Sequence, residues 1–219
     1  MQRVVQAEVL DSLPEAHPDA VACRRDLRRL NFLMGTHRWL RGCVRRLVRS
    51  GSARSVLELG AGDGSLALGL SARERSTVRW TGIDRVGTPP DWPKDWGWIC
   101  VDIRDESQAW PRADVGVVNL LLHHFEADDL RTVLRKLCEC CAKIFLCEPV
   151  RRRLHVAQLA LLRGWFLHPV TWHDARVSVL AGFVPGELRK FFPMGWELRE
   201  RCCWRGFLRA EANPFGDRR

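Results

Sequence analysis

The segment Val56-Leu57-Glu58-Leu59-Gly60-Ala61-Gly62-Asp63-Gly64-Ser65 runs from an apolar stretch straight into a turn with glycine at every second position. Glycine is needed where backbone takes positive φ or lies against a ligand, and a helix starting just beyond presents unpaired amides. The chemistry on offer is a nucleotide-type cradle, a pattern that dinucleotide sites share. Two features argue against a dinucleotide. The spacing differs from GxGxxG, and Glu58 sets a carboxylate two residues ahead of the first glycine, where pyrophosphate is repelled and a cation attracted. A second reactive set closes the run Ala113-Asp114-Val-Gly-Val-Val-Asn119-Leu120-Leu-Leu-His123-His124-Phe125. Histidine exchanges protons near neutral pH, so His123 or His124 is a candidate base or acceptor-orienting group; the competing reading is a capping or packing histidine. His173 with Asp174 forms another pair, and Glu148-Pro149 ends an apolar run and either lines a pocket or makes a turn.

These groups need elements to position them. From Val21 to Val48 apolar residues recur at three- and four-residue steps, which predicts two helices broken near Gly35. Residues 1–20 carry Pro14 and Pro18 and read as a frayed start with little function. After Gly51 short apolar runs alternate with helical stretches, the mark of βα units on a largely parallel sheet. Strands are expected at Ser55–Leu59, Val78–Ile83, Trp98–Val101, Val115–Leu120 and Lys143–Cys147, and helices at Ser65–Ala72 and Asp128–Cys138, with Asp128 and Asp105 as caps. Leu154–Phe166 reads as an apolar helix, His168 to Trp172 as a Pro/Trp/His-rich stretch, and Glu187–Phe192 as a short helix. Trp196–Trp204 and Phe207–Ala212 read as an antiparallel pair joined near Gly206.

With Glu58 included, the glycine segment resembles ExGxGxG, the first motif of class I S-adenosylmethionine-dependent methyltransferases. The resemblance implies an α/β fold: a Rossmann-like seven-stranded sheet, mostly parallel with an antiparallel C-terminal strand, and helices on both faces. It implies an N-terminal helical extension over residues 1–50 and a catalytic domain over 51–219, with a substrate-lid insertion near 150–195. The cofactor it implies is S-adenosyl-L-methionine, with Glu58, Gly60, Ala61 and Gly62 around the amino-acid end. Asp84, with Arg85 beside it, would accept the ribose hydroxyls. Asp102 would meet the adenine amino group with Ile103 against the ring, and Asn119 and Leu120 would lie near the reacting methyl. These matches fall in the family's order over residues 56–125.

Methyl transfer is an in-line displacement that needs alignment and, for many nucleophiles, a base. His123 and His124 follow the fourth strand, where this family opens its acceptor pocket. His173, Asp174 and Glu148 are the weaker acceptor-side candidates, in a segment resembling the variable lid of small-molecule methyltransferases. The run Asn-Leu-Leu-Leu-His-His-Phe is similar to that of enzymes acting on quinones, phenols and polyketide-like products. It implies methylation of a hydroxyl, with C-methylation open. Family members that methylate nucleic-acid bases carry Asn/Asp-Pro-Pro-aromatic at this point, and here Asn119 is followed by three leucines. The alternatives are a nucleic-acid or protein methyltransferase docking through its basic helices, and a catalytically silent cofactor-binding scaffold.

The chain of 219 residues can bury one substantial core, and 46% hydrophobic with 28% charged residues argues against disorder. Its net charge of +9 invites a polyanion, and the N-terminal helices are dense in arginine. An acidic carrier protein is a candidate partner, nucleic acid a weaker one, since no aromatic residues interleave with those arginines. The arginine excess along the whole chain also reads as coding bias. Nine cysteines, without the paired CxxC spacing of a zinc site, read as reduced thiols in a cytoplasmic protein with no metal site. No apolar run reaches the roughly 18 residues of a membrane span; the longest, Leu154 to Leu167, contains Arg163. Oligomeric state is left open.

Overall fold

A computed structural model describes residues 1–14, 16–162 and 167–216, with the side chains of 161 and 162 excepted. Helix α1 (Pro18–Met34) starts at His17, whose Nδ1 accepts the Asp19 N–H at 3.2 Å, with proline preset for the first turn. It ends at Gly35, φ 68°, and α2 (Thr36–Arg49) leaves at once, so the expected break falls where only glycine takes that conformation cheaply. Leu40, Cys43 and Val44 of α2 are buried, Arg38, Arg46 and Arg49 are exposed, and Arg41 and Arg45 are half-buried at the edge of the packed face.

The α/β part follows as β1 (Ser55–Leu59), α3 (Ser65–Leu68), α4 (Ala72–Arg75), β2 (Arg79–Asp84), β3 (Gly97–Cys100), β4 (Ala113–Asn119), α5 (Ala127–Cys140) and β5 (Cys141–Pro149). Then come α6 (Arg153–Leu162), α7 (Pro169–Ala181), β6 (Trp196–Cys203) and β7 (Phe207–Pro214). The seven strands form one sheet in the order β3-β2-β1-β4-β5-β7-β6. Pairings from β3 through β5 are parallel, while β7 runs antiparallel to both β5 and β6. The strand order reverses between β1 and β4, and in such sheets the crevice at the carboxyl ends of those strands is where ligands enter.

Because side chains alternate across a strand, β1 feeds two cores. Leu57 and Leu59 pack toward α5 with Leu130, Leu134 and Ile144. Val56 faces α2 and α3 with Trp80, Val117 and Phe145. Glu58 shares the Val56 side, so its carboxyl sits in an apolar layer.

Four sequence expectations are corrected. The helix expected at Ser65–Ala72 is two, because Ser71 and Glu74 form a reciprocal capping box that starts α4 afresh. The stretch from His168 to Trp172 is the opening of α7, with Pro169 in its first turn; buried Thr171 and Asp174 on the inner face had masked the apolar period. Residues 187–192 reduce to a 3-10 turn at Leu188–Lys190, and Glu126 rather than Asp128 stands at the start of α5. The helix expected at Leu154–Phe166 is seen as α6; its last four residues, with Arg163, lie outside the described residues. No helix among the described residues is long and apolar enough to cross a membrane.

Residues 1–13 are no frayed end. Arg3 donates to Ala181 O at 2.8 Å and Phe125 O at 2.7 Å and lies over the Phe183 ring; Val4 N–H donates to Leu180 O at 3.3 Å. The segment straps α7 to the turn after β4. Its partners are so remote along the chain that no local period could signal them.

Candidate active site

The glycine turn leaves β1 with Gly60, Gly62 and Gly64 at φ 66°, 56° and 69°. A side chain on Gly60 would meet Leu121 at 2.9 Å, whereas one on Gly62 would meet nothing within 4 Å, so the turn is walled at its base and open at its tip. Asp84, at the tip of β2, accepts the Gly62 N–H at 2.7 Å and the Val86 N–H at 3.1 Å, locking the turn to the neighbouring strand. Glu58 beneath is 2% exposed, and its Oε2 accepts the Trp80 Nε1–H at 2.8 Å. Burial pushes this carboxyl up to about 8, with nearby Asp84 and Asp63 adding to the rise and the Trp80 bond opposing it.

The other expected cofactor residues are placed as follows. Ala61 is buried in the turn, and Arg85 reaches away to Asp11 at 3.6 Å. Asp102 is held by Arg104 at 2.6 Å, which draws its carboxyl down to about 2. Ile103 is buried in the α5-side core. Asn119 ends β4 with its Oδ1 buried and without a hydrogen-bond partner among the described residues. At Leu120 the backbone turns sharply, with φ 54° for a non-glycine residue, a strained geometry of the kind that marks functional sites.

That bend delivers the 3-10 turn Leu122–His124, and Glu148 fixes it. The Glu148 carboxylate, fully buried at the end of β5, accepts the N–H groups of Leu121, Leu122 and His123 at 2.9, 2.8 and 3.3 Å. It also pairs with His123 Nδ1 at 2.8 Å. On the far side of the same ring, Nε2 lies 3.4 Å from Glu8 Oε1, an ion-pair distance without hydrogen-bond alignment. Burial alone would strip the proton from this imidazole, but Glu148 and Glu8 outweigh it and hold the pKa up to about 9. At 3% exposed, His123 is thus favoured in its charged form by the two carboxylates that flank it, which weighs against the base role expected of it.

His124 is its opposite. The rings lie 4.2 Å apart, and burial together with the His123 charge pushes the His124 pKa down. Its Nδ1 is 3.5 Å from Asp11 Oδ2 and its Nε2 3.9 Å from Glu8. The pKa values of two adjacent histidines are thus pushed apart, the arrangement from which acid and base roles are assigned. Glu8, His123 and His124 bring one ligand atom each within 4.8 Å of one another.

Sequence reasoning missed Glu8 and Asp11 altogether. The pair His173–Asp174, expected at the acceptor, is corrected: Asp174 is buried and accepts the Val9 and Leu10 N–H groups, both at 2.9 Å, so it anchors the strap. His173 Nδ1 lies 3.0 Å from Asp174. Ser178, one turn further along α7, donates its hydroxyl to Glu8. A carboxylate that caps backbone within the strap carries no sequence mark distinguishing it from one that faces a ligand.

A doubly wound sheet in this order, with a reversed penultimate position held by the last strand, is the fold of class I S-adenosylmethionine-dependent methyltransferases. No protein-family model matches the sequence, and no curated protein does. Solved structures do match in shape. Plantazolicin methyltransferase BamL, in complex with a triazolic desmethylPZN analog and SAH, is similar with a TM-score of 0.69 at 12% identity, over 96% of this chain and 94% of that one. Plantazolicin methyltransferase BpumL with the triazolic analog and SAH gives 0.67 at 12% identity, over 94% and 93%. The S-adenosylmethionine-dependent methyltransferase SibL gives 0.53 at 16% identity, over 84% of this chain and 57% of that one. At such identities the likeness is one of fold, and the site must be weighed on its own residues.

Three of those residues fit an adenosyl sulfonium ligand. Gly62 leaves open space at the tip of the turn, Asn119 keeps a buried acceptor unpaired, and Glu58 is a buried carboxyl short of a positive partner.

Proposed function

We propose that this chain is an S-adenosylmethionine-dependent methyltransferase acting on a small-molecule acceptor, a hydroxyl of an aromatic, quinone or polyketide-like compound. The observation that carries the reading is the left-handed glycine turn locked by Asp84 beside the unpaired Oδ1 of Asn119, over a carboxyl that needs a cation. When bound, the cofactor supplies a methyl carbon made electrophilic by its sulfonium. Glu58 and the turn from Gly60 to Gly62 would hold its amino-acid end, Asp84 the ribose, Asp102 the adenine, and Asn119 with Leu120 the side facing the acceptor.

The remaining work falls to residues of the chain itself. His124 is the base: Asp11 beside Nδ1 sets the tautomer that leaves Nε2 an acceptor for the hydroxyl proton. His123, charged and clamped by Glu148 and Glu8, keeps His124 neutral through its field. The strap, α6 and α7 form the cover that excludes water from the acceptor. The test is calorimetric titration with S-adenosylmethionine, followed by methyl transfer to a panel of phenols and hydroquinones. His124→Gln is expected to keep cofactor affinity within about twofold and to lower turnover by about 100-fold or more. No affinity for the cofactor, or undiminished turnover in that variant, overturns the reading.

A further inference from the structure

Four of the large apolar side chains left in solvent, Phe32, Leu33, Leu154 and Trp204, lie on neighbouring elements at one corner of the molecule. Phe32 and Leu33, at the end of α1, are 85% and 65% exposed, and Trp204, in the β6–β7 turn, is 79% exposed. The two elements are tied: Arg205 donates Nη1–H to Leu33 O at 2.8 Å, and its guanidinium lies over the Trp204 ring at 5.1 Å. Gly206 in the same turn packs against His155 of α6, and Arg152, Arg153 and Leu154, all exposed, directly precede that histidine. Arg152 is near enough to Cys202 to oppose the burial that raises its thiol. On the other flank a groove lined by Arg25, Arg28, Arg29, Leu30 and Leu167 runs alongside Phe32 and Leu33.

The charges here are largely unanswered. Arg25 and Arg29 share one buried carboxylate, Asp26, at 4.0 and 3.5 Å, and Arg28 reaches Asp63 at 3.2 Å. Among the described residues no carboxylate pairs with Arg152, Arg153 or Arg205. Single exposed apolar residues are ordinary, but tryptophan, phenylalanine and leucine side by side within a rim of arginines mark an interaction surface. A polyanion such as nucleic acid or an acidic protein answers the arginines, and unpaired bases could stack on Phe32 or Trp204, but the exposed aliphatic Leu33 and Leu154 would stay in water. An anionic bilayer answers both, since aromatic rings settle at headgroup depth while arginines pair with lipid phosphates.

The patch also lies at a telling edge of the fold. Phe207 opens β7 opposite Pro149, so the turn bearing Trp204 sits at the carboxyl end of β5, the same edge that carries Asn119, Glu148 and the histidine pair. We propose that this corner, built from Phe32, Leu33, Trp204, Leu154 and the arginines around them, docks the protein on the surface of an anionic lipid bilayer. The docking stands apart from the methyltransferase reading; only its consequence, delivery of an apolar acceptor from lipid to the crevice, rests on that reading.

Vesicle sedimentation tests it with the full chain, using phosphatidylcholine alone and phosphatidylcholine with about one third phosphatidylglycerol. Binding is expected to the anionic vesicles and not to the neutral ones, weakening several-fold as salt rises to about 0.5 M. Phe32→Ser, Leu33→Ser and Trp204→Ser combined should lower partitioning at least about tenfold. Arg152→Gln, Arg153→Gln and Arg205→Gln combined should lower it about 100-fold, at about fivefold per arginine. All six positions are exposed, so unchanged thermal unfolding and cofactor titration of each variant show that fold and crevice are intact. Absence of binding to anionic vesicles overturns the proposal. So does binding that survives the apolar triple variant, the outcome expected of a plain polyanion site for nucleic acid or an acidic protein.

Discussion

Replacing Glu58 with glutamine should stabilise the ligand-free fold and weaken cofactor binding at the same time. Burial holds the Glu58 carboxyl at about 8 against an ordinary value of 4.5. A group raised in this way contributes its full stability only below the unfolded value, and the contribution drains away as pH climbs toward the folded one. At about 1.36 kcal/mol per pH unit, holding a proton on the buried carboxyl costs the fold about 3 kcal/mol at pH 7, and ionising it in place costs about 5 kcal/mol above pH 8. Glutamine is neutral throughout, and its amide oxygen can still accept the Trp80 Nε1–H. Glu58→Gln should therefore raise Tm by roughly 6–12 °C at pH 7, taking 2–4 °C per kcal/mol, and by little at pH 5. In exchange the ammonium of the cofactor loses its counter-charge, and affinity should drop at least about tenfold. Thermal unfolding from pH 5 to 9, with and without S-adenosylhomocysteine, reads both effects. A variant whose pH curve runs parallel to that of the wild type, or one less stable at pH 8, refutes the reasoning.

Glu148→Ala strands three backbone N–H groups and the His123 imidazolium, a loss of about 3–5 kcal/mol that calorimetry should show as a Tm lower by roughly 10 °C; an unmoved Tm would mean the turn after β4 is held by something else. Glu8→Gln should bring the His123 pKa, followed by NMR, down from about 9 toward its ordinary 6.5. The stability gained from that pairing, present in full below about pH 6.5 and lost as pH rises through about 9, should shrink with it, and an unchanged titration counts against the clamp. Asp84→Ala should cost about 100-fold in S-adenosylhomocysteine affinity by calorimetry, with a Tm lower by a few degrees because Gly62 N–H loses its acceptor, about 1–3 kcal/mol; undiminished affinity speaks against Asp84 as a cofactor residue.

Much of the scaffold could be read without coordinates, because its signals are local. Ser55–Leu59 carries apolar residues on both faces and ends in alternating glycines, so strand, turn and crevice are encoded within ten residues. Asp84 and Asn119 declare themselves as polar residues ending apolar runs, and the reversed terminal hairpin follows from two strand patterns meeting at Gly206, φ 92°. The α7 helix was harder, since Thr171 and Asp174 bury polar atoms on its inner face and break the apolar rhythm. Glu148, just after the apolar run 144–147, looks from its neighbours like any turn residue.

Protonation at the histidine pair belongs wholly to the tertiary structure. The amino-acid order places His123 and His124 after β4 and says nothing of which one is charged. That is decided by Glu148 arriving from β5, and by Glu8 and Asp11 arriving in a strap that Arg3, Asp174 and Ser178 hold down. The physical reason is range. Dihedral preference and side-chain alternation act over a few residues and are written into the chain. The charge on a buried imidazole is the sum of desolvation and Coulomb terms from groups that share its neighbourhood only once the chain has closed.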